Sequence, residues 1–299
     1  MESKAYVLHA LSPLHAGTGH AADVIDLPIA RMKATGIPIV LGSSVKGVLR
    51  DARRHTPPDK RNGDNAWDEK VLATFGPETA NAADHAGALV AGDVRLLALP
   101  VRSFKGTFAW VTSPLLLRLA LRDLRATEND YPIPPLASHS AQLATGDCME
   151  GGKLYLQDLD IEATVPANAN AAPARWAALI RGVAFAGNDY FTSRFAIVDD
   201  DTMSFLWETA TQLDQRVRIN EGTRTVDRGA LWLEESLPAE TLLIGLMEAD
   251  RSRKAGMSMQ PRDVLDFALQ MPASAAGTIL QFGGKATTGR GRCRLLPVA

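Results

Sequence analysis

The spacing of apolar and polar residues changes period repeatedly along the chain, which predicts interleaved strands and helices. Residues 4–11 alternate as a strand closed by Ser12-Pro13, and a glycine-bearing loop follows, Leu14-His15-Ala16-Gly17-Thr18-Gly19-His20. Residues 37–41 read as a short buried strand. Val45, Val48, Leu49 and Ala52 then fall at i, i+3, i+4 and i+7, one face of a helix that Ser43 or Ser44 caps. Its other face carries Lys46, Arg50, Arg53 and Arg54. Residues 55–87 are polar and rich in Pro, Asn, Asp and Gly, which predicts an irregular insertion. Strands are expected at 88–101 and 106–112, and Ser113-Pro114 opens a helix through Leu124.

The segment 129–170 shows no clean period, and 163–174 reads as a linker or loop tip. A helix at 173–186, a strand at 194–198, an extended thumb-like hairpin at 216–235 and a buried strand at 241–248 come next. The chain closes with a helix at 261–270 and strands at 278–282 and 292–298 around a glycine-rich turn. The pattern predicts a single α+β domain over 1–299 with large insertions, and no internal repeat is present.

At 299 residues the chain can bury about 75% of its unfolded surface, so it needs no covalent staple. The two cysteines, Cys148 and Cys293, stand in no CxxC, which speaks against a disulfide scaffold or a thiolate zinc site. No apolar run approaches a membrane span, and Met-Glu-Ser-Lys does not resemble a secretory signal, so a cytoplasmic protein is expected. The net charge of −2 conceals segregation: residues 31–61 hold eight Lys/Arg against two acids, and 126–164 hold seven acids against Lys153. Such blocks make either a mosaic surface or a basic face that attracts phosphate.

Four segments carry residue types suited to chemistry. In Phe282-Gly283-Gly284-Lys285-Ala286-Thr287-Thr288-Gly289-Arg290-Gly291-Arg292, glycines let backbone amides approach a phosphate chain that the cations neutralise. It is no Walker A loop, because Ala286 follows Lys285 and a strand follows the loop. It is either a hairpin with solvated cations or a polyanion contact, for which an RNA backbone suits better than a nucleotide. Gly42-Ser43-Ser44-Val45-Lys46-Gly47 is either an ordinary helix start or an anion site. Asp26, in Val24-Ile25-Asp26-Leu27-Pro28, suits a hydrated Mg²⁺, a base for a ribose hydroxyl, or a turn cap before proline. His15 is either structural or a general acid/base. Arg216, Arg218, Arg224, Arg228 and Trp232 suit stacking against bases, with Trp232 equally suited to a core. His9, His20, His55, His85 and His139 show no metal-ligand spacing.

Taken in order, these segments resemble the RAMP superfamily. Its marks here are Leu11-Ser12-Pro13-Leu14-His15-Ala16-Gly17-Thr18-Gly19, Ile25-Asp26-Leu27-Pro28-Ile29, Gly42-Ser43-Ser44-Val45-Lys46-Gly47, Pro100-Val101-Arg102-Ser103 with Phe108-Ala109-Trp110-Val111-Thr112, Gly229-Ala230-Leu231-Trp232 before Glu234-Glu235, and the closing Gly-rich loop. More narrowly the set is similar to the backbone subunit of type III-B CRISPR effector complexes, with Leu233 standing where an aromatic is expected and Ala286 where an acid is common.

The resemblance implies an RRM-like (ferredoxin-like) palm with inserted fingers and a thumb hairpin. It implies a filament of copies along a crRNA, alongside other type III-B subunits, that cuts complementary target RNA at regular intervals. Asp26 matches the position needed for a Mg²⁺-dependent (or other divalent) cut, in which a ribose 2′-OH attacks the adjacent phosphate. His15 and Glu234 are its supporting candidates. Ser43, Ser44, Lys46 and Arg50, with Gly283, Gly284, Lys285, Thr287, Gly289 and Arg290, are expected to hold the crRNA backbone. Arg218, Arg224 and Trp232 are expected to splay bases. Two alternatives stand beside this reading: a catalytically silent scaffold on crRNA, and a metal-independent crRNA-processing nuclease using His15.

Overall fold

Strand β1 (Glu2–Ala10) organises the molecule, because successive side chains enter different cores. Tyr6, Leu8 and Ala10 join one cluster, while Ala5 and Val7 join another. A strand buried on both faces requires cover on both. The structure is a computed structural model, and it describes residues 1–17, 25–57, 61, 66–125, 131–269 and 278–298.

After β1 come β2 (Ile39–Val40), α1 (Gly42–Arg54), α2 (Trp67–Phe75), β3 (Leu89–Ala91), β4 (Val94–Arg102), β5 (Phe108–Thr112) and α3 (Pro114–Arg125). Four short strands follow: β6 (Ser140–Leu143), β7 (Met149–Glu150), β8 (Lys153–Leu156) and β9 (Leu159–Thr164). Then come α4 (Ala172–Ala184), β10 (Phe195–Val198), α5 (Asp200–Thr209), β11 (Gln212–Ile219), β12 (Val226–Ser236), β13 (Leu242–Ala249), α6 (Pro261–Leu269), β14 (Thr278–Gln281) and β15 (Arg292–Pro297). One long sheet runs β14-β15-β1-β13-β4-β5-β10-β6-β9-β8-β7, and β11 pairs with β12 as a separate hairpin.

Within the long sheet, β15-β1-β13-β4 are antiparallel neighbours. With α1 and α6 they follow the connection order β-α-β-β-α-β of a ferredoxin-like unit. Val45, Leu49, Val264 and Leu265 cover one face; Leu117, Leu121, Trp176 and Ile180 from α3 and α4 cover the other. The expected α+β class is the observed one.

Five local expectations are corrected. The N-cap of α1 is Leu41, with no side-chain cap, and Ser43 and Ser44 lie exposed in the first turn. Instead Asp93 Oδ1 accepts the Gly42 amide at 2.8 Å, from the turn between β3 and β4, 51 residues away in sequence. Arg53, expected on the polar face of α1, is buried against the rings of Trp67 and Phe267. The cover comes from α2, inside the stretch expected to be irregular, of which residues 58–60 and 62–65 lie outside the described set. The segment 129–170 contains β6 to β9, whose strands are too short to declare a period, and its residues 129 and 130 lie outside the described set. Finally, α5 was not expected, although Asp199 caps it by accepting Thr202 N at 3.1 Å. Met203, Leu206 and Trp207 supply its buried face at helical spacing.

Both cysteines are buried, and burial pushes the Cys293 thiol up to about 12 and raises that of Cys148. A thiol reagent at about pH 8 is expected to titrate neither in the native chain and both after denaturation, read from released chromophore.

Candidate functional site

Near the end of β12 stand two adjacent carboxylates, and strand alternation sends them to opposite faces. Glu234 Oε1 accepts the Lys285 ammonium and the Trp232 indole N–H, each at 2.8 Å, and Oε2 lies 3.4 Å from Arg216 Nε. Burial raises this carboxyl, but the bonds from Lys285 and Trp232 and the charges of Lys285 and Arg216 outweigh it. The net position is below the usual glutamate range. Asp214, opposite Glu234 across the hairpin, pairs with Arg290. Two cations therefore fasten the Gly-rich loop to one face of the hairpin. Gly283, Gly284, Thr287 and Gly289 remain exposed on that loop.

The loop also docks on the segment after β1. Gly284 N donates to His15 O at 2.9 Å and Gly291 N to Pro13 O at 2.8 Å. Gly283 has φ +68°, and a Cβ there would lie 2.2 Å from His15 O. Only glycine accommodates that approach. The His15 ring is buried, 8% exposed, with Nδ1 2.6 Å from Glu235 O. A carbonyl only accepts, so Nδ1 carries the proton. Its Nε2 faces Gly17, where a Cβ would stand 2.6 Å away. Residues 18–20 lie outside the described set.

Asp26 is exposed beside β12, its Oδ2 accepting Leu233 N at 2.8 Å. Leu27 N donates to Leu233 O at 3.1 Å and Glu235 N donates to Leu27 O at 2.9 Å, so the Asp26 segment runs as a parallel bridge along β12. Among the described residues Asp26 Oδ1 has no hydrogen-bond partner. No group of three His, Cys, Asp or Glu side chains among them is disposed to hold a metal. What is available is one exposed carboxylate oxygen.

The α1 residues form a separate cluster. Lys46 donates to Leu89 O at 2.8 Å and Arg50 to Pro77 O at 2.9 Å; burial, then the charge of Arg50, lowers the Lys46 ammonium. Leu89 pairs with Ala249 and Ala249 with Glu2, at the start of β1. The Gly-rich loop adjoins the other end of β1, about 27 Å along the strand at ~3.4 Å per residue. The two groups, expected to share one RNA backbone, lie at separate places in the fold.

On the hairpin, Arg218 and Arg224 are exposed, and Trp232 is half-buried opposite Arg216. The side chain of Arg228 lies outside the described set. Leu213, Val217, Ile219, Val226 and Leu231 are exposed apolar residues that the sequence reading did not single out. The apolar residues Leu213, Val217 and Ile219 at odd positions, interrupted by Gln215, were the available signal.

The sequence matches the RAMP superfamily over residues 7–294. It is 33% identical over 302 residues to the CRISPR system Cmr endoribonuclease Cmr4 of Pyrococcus furiosus, covering 96% of this chain and 94% of that protein. The crystal structure of oligomeric Cmr4 from Pyrococcus furiosus superposes with a TM-score of 0.72 at 26% identity, covering 100% of this chain and 98% of the other. The cryo-EM structure of a type III-B Cmr-beta complex bound to cognate target RNA contains a chain of the same fold, with a TM-score of 0.72 at 18% identity, covering 100% of this chain and 98% of that one.

Gly283→Ala is expected to destabilise the chain by roughly 2 kcal/mol or more, and Gly289→Ala by about 1 kcal/mol. Both glycines have left-handed φ, but only Gly283 has backbone in the way; urea midpoints separate the two. Because the Glu234 carboxyl is depressed, its stabilisation is full above the usual glutamate range and fades as pH falls through its lowered value. Glu234→Gln is expected to remove that acid-side loss, read as a flatter dependence of urea midpoint on pH between about 7 and about 3.

Proposed function

This chain belongs to the RAMP superfamily, and from that premise we propose that it is a crRNA-binding backbone subunit of a type III-B effector complex that cleaves guide-paired target RNA. The observation that carries the proposal is Asp26: an exposed carboxylate fixed through one oxygen to Leu233 N, at the root of a projecting hairpin and in the same neighbourhood as the Gly-rich loop. Its partners are crRNA, complementary target RNA, further copies of itself and other subunits of the complex, with cytoplasmic action. Among the described residues no helix is long and apolar enough to cross a membrane.

The geometry supports the following division of labour. The exposed Gly283 amide and the hydroxyl of Thr287 contact phosphates without reading sequence, while Gly284 and Gly289, whose amides are bonded to His15 O and Ala286 O, contribute close approach, and Watson–Crick pairing with the guide supplies specificity. The apolar outer face of the hairpin, Val217, Ile219 and Leu231 among its residues, inserts against base planes and breaks the stack. A displaced nucleotide can then bring its ribose 2′-OH into line with the adjacent phosphate. Attack forms the 2′-O–P bond and breaks the P–O5′ bond, leaving a 2′,3′-cyclic phosphate and a 5′-hydroxyl. Asp26 Oδ1 is the group positioned to take the 2′-OH proton.

The same oxygen fits Mg²⁺, which keeps several waters and takes its other contacts from substrate phosphate. Bound there, the ion would neutralise charge developing on the phosphate. Glu234 and Glu235 are engaged elsewhere, so the ion would be held by Asp26 alone on the protein side. His15 is enclosed, with one nitrogen on a carbonyl and the other against Gly17, which supports a supporting-frame role over general acid/base work. That burial also disfavours the processing-nuclease alternative.

The test uses the guide-loaded complex with labelled complementary RNA and Mg²⁺. Wild type is expected to give evenly spaced cuts, while Asp26→Asn binds target within about twofold and cuts at least about 100-fold more slowly. Equal cutting by both removes Asp26 from the chemistry; binding without cutting by both makes the chain a scaffold.

A further inference from the structure

We propose that Arg31 and Glu235 form a positioning pair that sets Asp26 against the hairpin; this rests on the cleavage reading above. Glu235 is 2% exposed, and each of its polar groups meets the segment 15–31. Its amide donates to Leu27 O at 2.9 Å and its carbonyl accepts His15 Nδ1 at 2.6 Å. Oε2 accepts Ile29 N at 3.0 Å, and Oε1 accepts Arg31 Nη2 at 2.6 Å. One residue of β12 thus grips the Asp26 segment on both sides of the aspartate in sequence.

Arg31 extends the grip to the other root of the hairpin. Nη2 also donates to Trp207 O at 3.1 Å, and Nη1 donates to Gly36 O at 3.1 Å and lies 3.4 Å from Glu208. Trp207 sits in the last turns of α5, whose end leads within three residues into β11. A cation among the terminal carbonyls of a helix is favourably placed, and the planar guanidinium reaches several acceptors that a lysine ammonium cannot serve together. The pair therefore joins the Asp26 segment to β12 and to the helix end that leads into β11. If the hairpin moves the target backbone and Asp26 acts on it, their relative placement decides the rate.

Charge removal alone tests the pair. Both oxygens of Glu235 face donors, so in Glu235→Gln the amide NH₂ faces a donor whichever way it turns. The guide-loaded complex is prepared with Glu235→Gln, Arg31→Met and Arg31→Lys, and three quantities are measured: target affinity, single-turnover cleavage of bound target, and hydrogen exchange at the Leu27 and Glu235 amides.

Glu235→Gln and Arg31→Met are expected to bind target within about threefold of wild type yet cut it about 100-fold more slowly, the cost of misplacement by about 1 Å. Their two amides exchange at least about tenfold faster, as the strand bridge opens more often. Arg31→Lys, which keeps the charge opposite Glu235, is expected to recover about tenfold of the lost rate. Wild-type rates and exchange in Glu235→Gln and Arg31→Lys, or a cutting loss that merely tracks lost binding, overturn the proposal. If wild type itself does not cut, the cleavage reading falls, and unchanged amide exchange then decides against the pair independently. Should Arg31→Met fail to assemble, Arg31→Lys carries the test, with slower cutting and faster exchange expected.

Discussion

Two buried carboxylates on consecutive residues of one strand shape everything around the site. A buried charge without a partner is costly enough that the chain must bring it one. Because side chains alternate along β12, Glu234 and Glu235 draw their partners from different directions. Glu234 takes Lys285 from the Gly-rich loop and Arg216 from the facing strand. Glu235 takes Arg31 and the Ile29 amide from the segment after Asp26. Three pieces of chain are thereby held at one place, the Asp26 segment 204 residues and the Gly-rich loop 51 residues from their partners on β12, with the hairpin projecting from it.

The covering of both sheet faces has a consequence for where RNA can bind. In the β-α-β-β-α-β unit one face carries α1 and α6, and the other is closed by α3 and α4 together with Trp110 and Phe195 of the adjoining strands β5 and β10. Among the described residues neither face of that unit is open to stack bases. Under the proposed function the contact with nucleic acid falls to the rim, where the loop at the end of β1, the Gly-rich loop, the hairpin and the first turn of α1 lie. Rims suit a polymer that must be gripped along its backbone, since loops present amides and hydroxyls that a packed sheet hides.

Charge segregation in the sequence does not translate directly into a free basic face. Several cations of residues 31–61 are engaged within the fold: Arg31 on Glu235 and three other acceptors, Lys46 and Arg50 on carbonyls, Arg53 between two rings, Arg54 on Glu78. Their positions were plain from composition, but their availability depends on which carbonyls and carboxylates the fold brings near.

Much of the architecture could be read from one sequence, because local physics speaks there. The alternation of β1, the apolar face of α1, Ser113-Pro114 before α3 and the hairpin of β11 and β12 are all set by periodicity and capping over a few residues. The motif order likewise identified the family, and picked out Asp26 and the Gly-rich loop as the places of interest. Tertiary structure alone decided the rest. Arg53 is buried only because α2 and α6 bring Trp67 and Phe267 over it, the first amide of α1 is taken by Asp93 from the turn between β3 and β4, and the short strands β6 to β9 exist through their neighbours. The pairing of Glu235 with Arg31, and of Glu234 with Lys285, joins residues far apart in sequence. No period or spacing records such a contact, because it is fixed by the desolvation of a charge that only the folded chain buries.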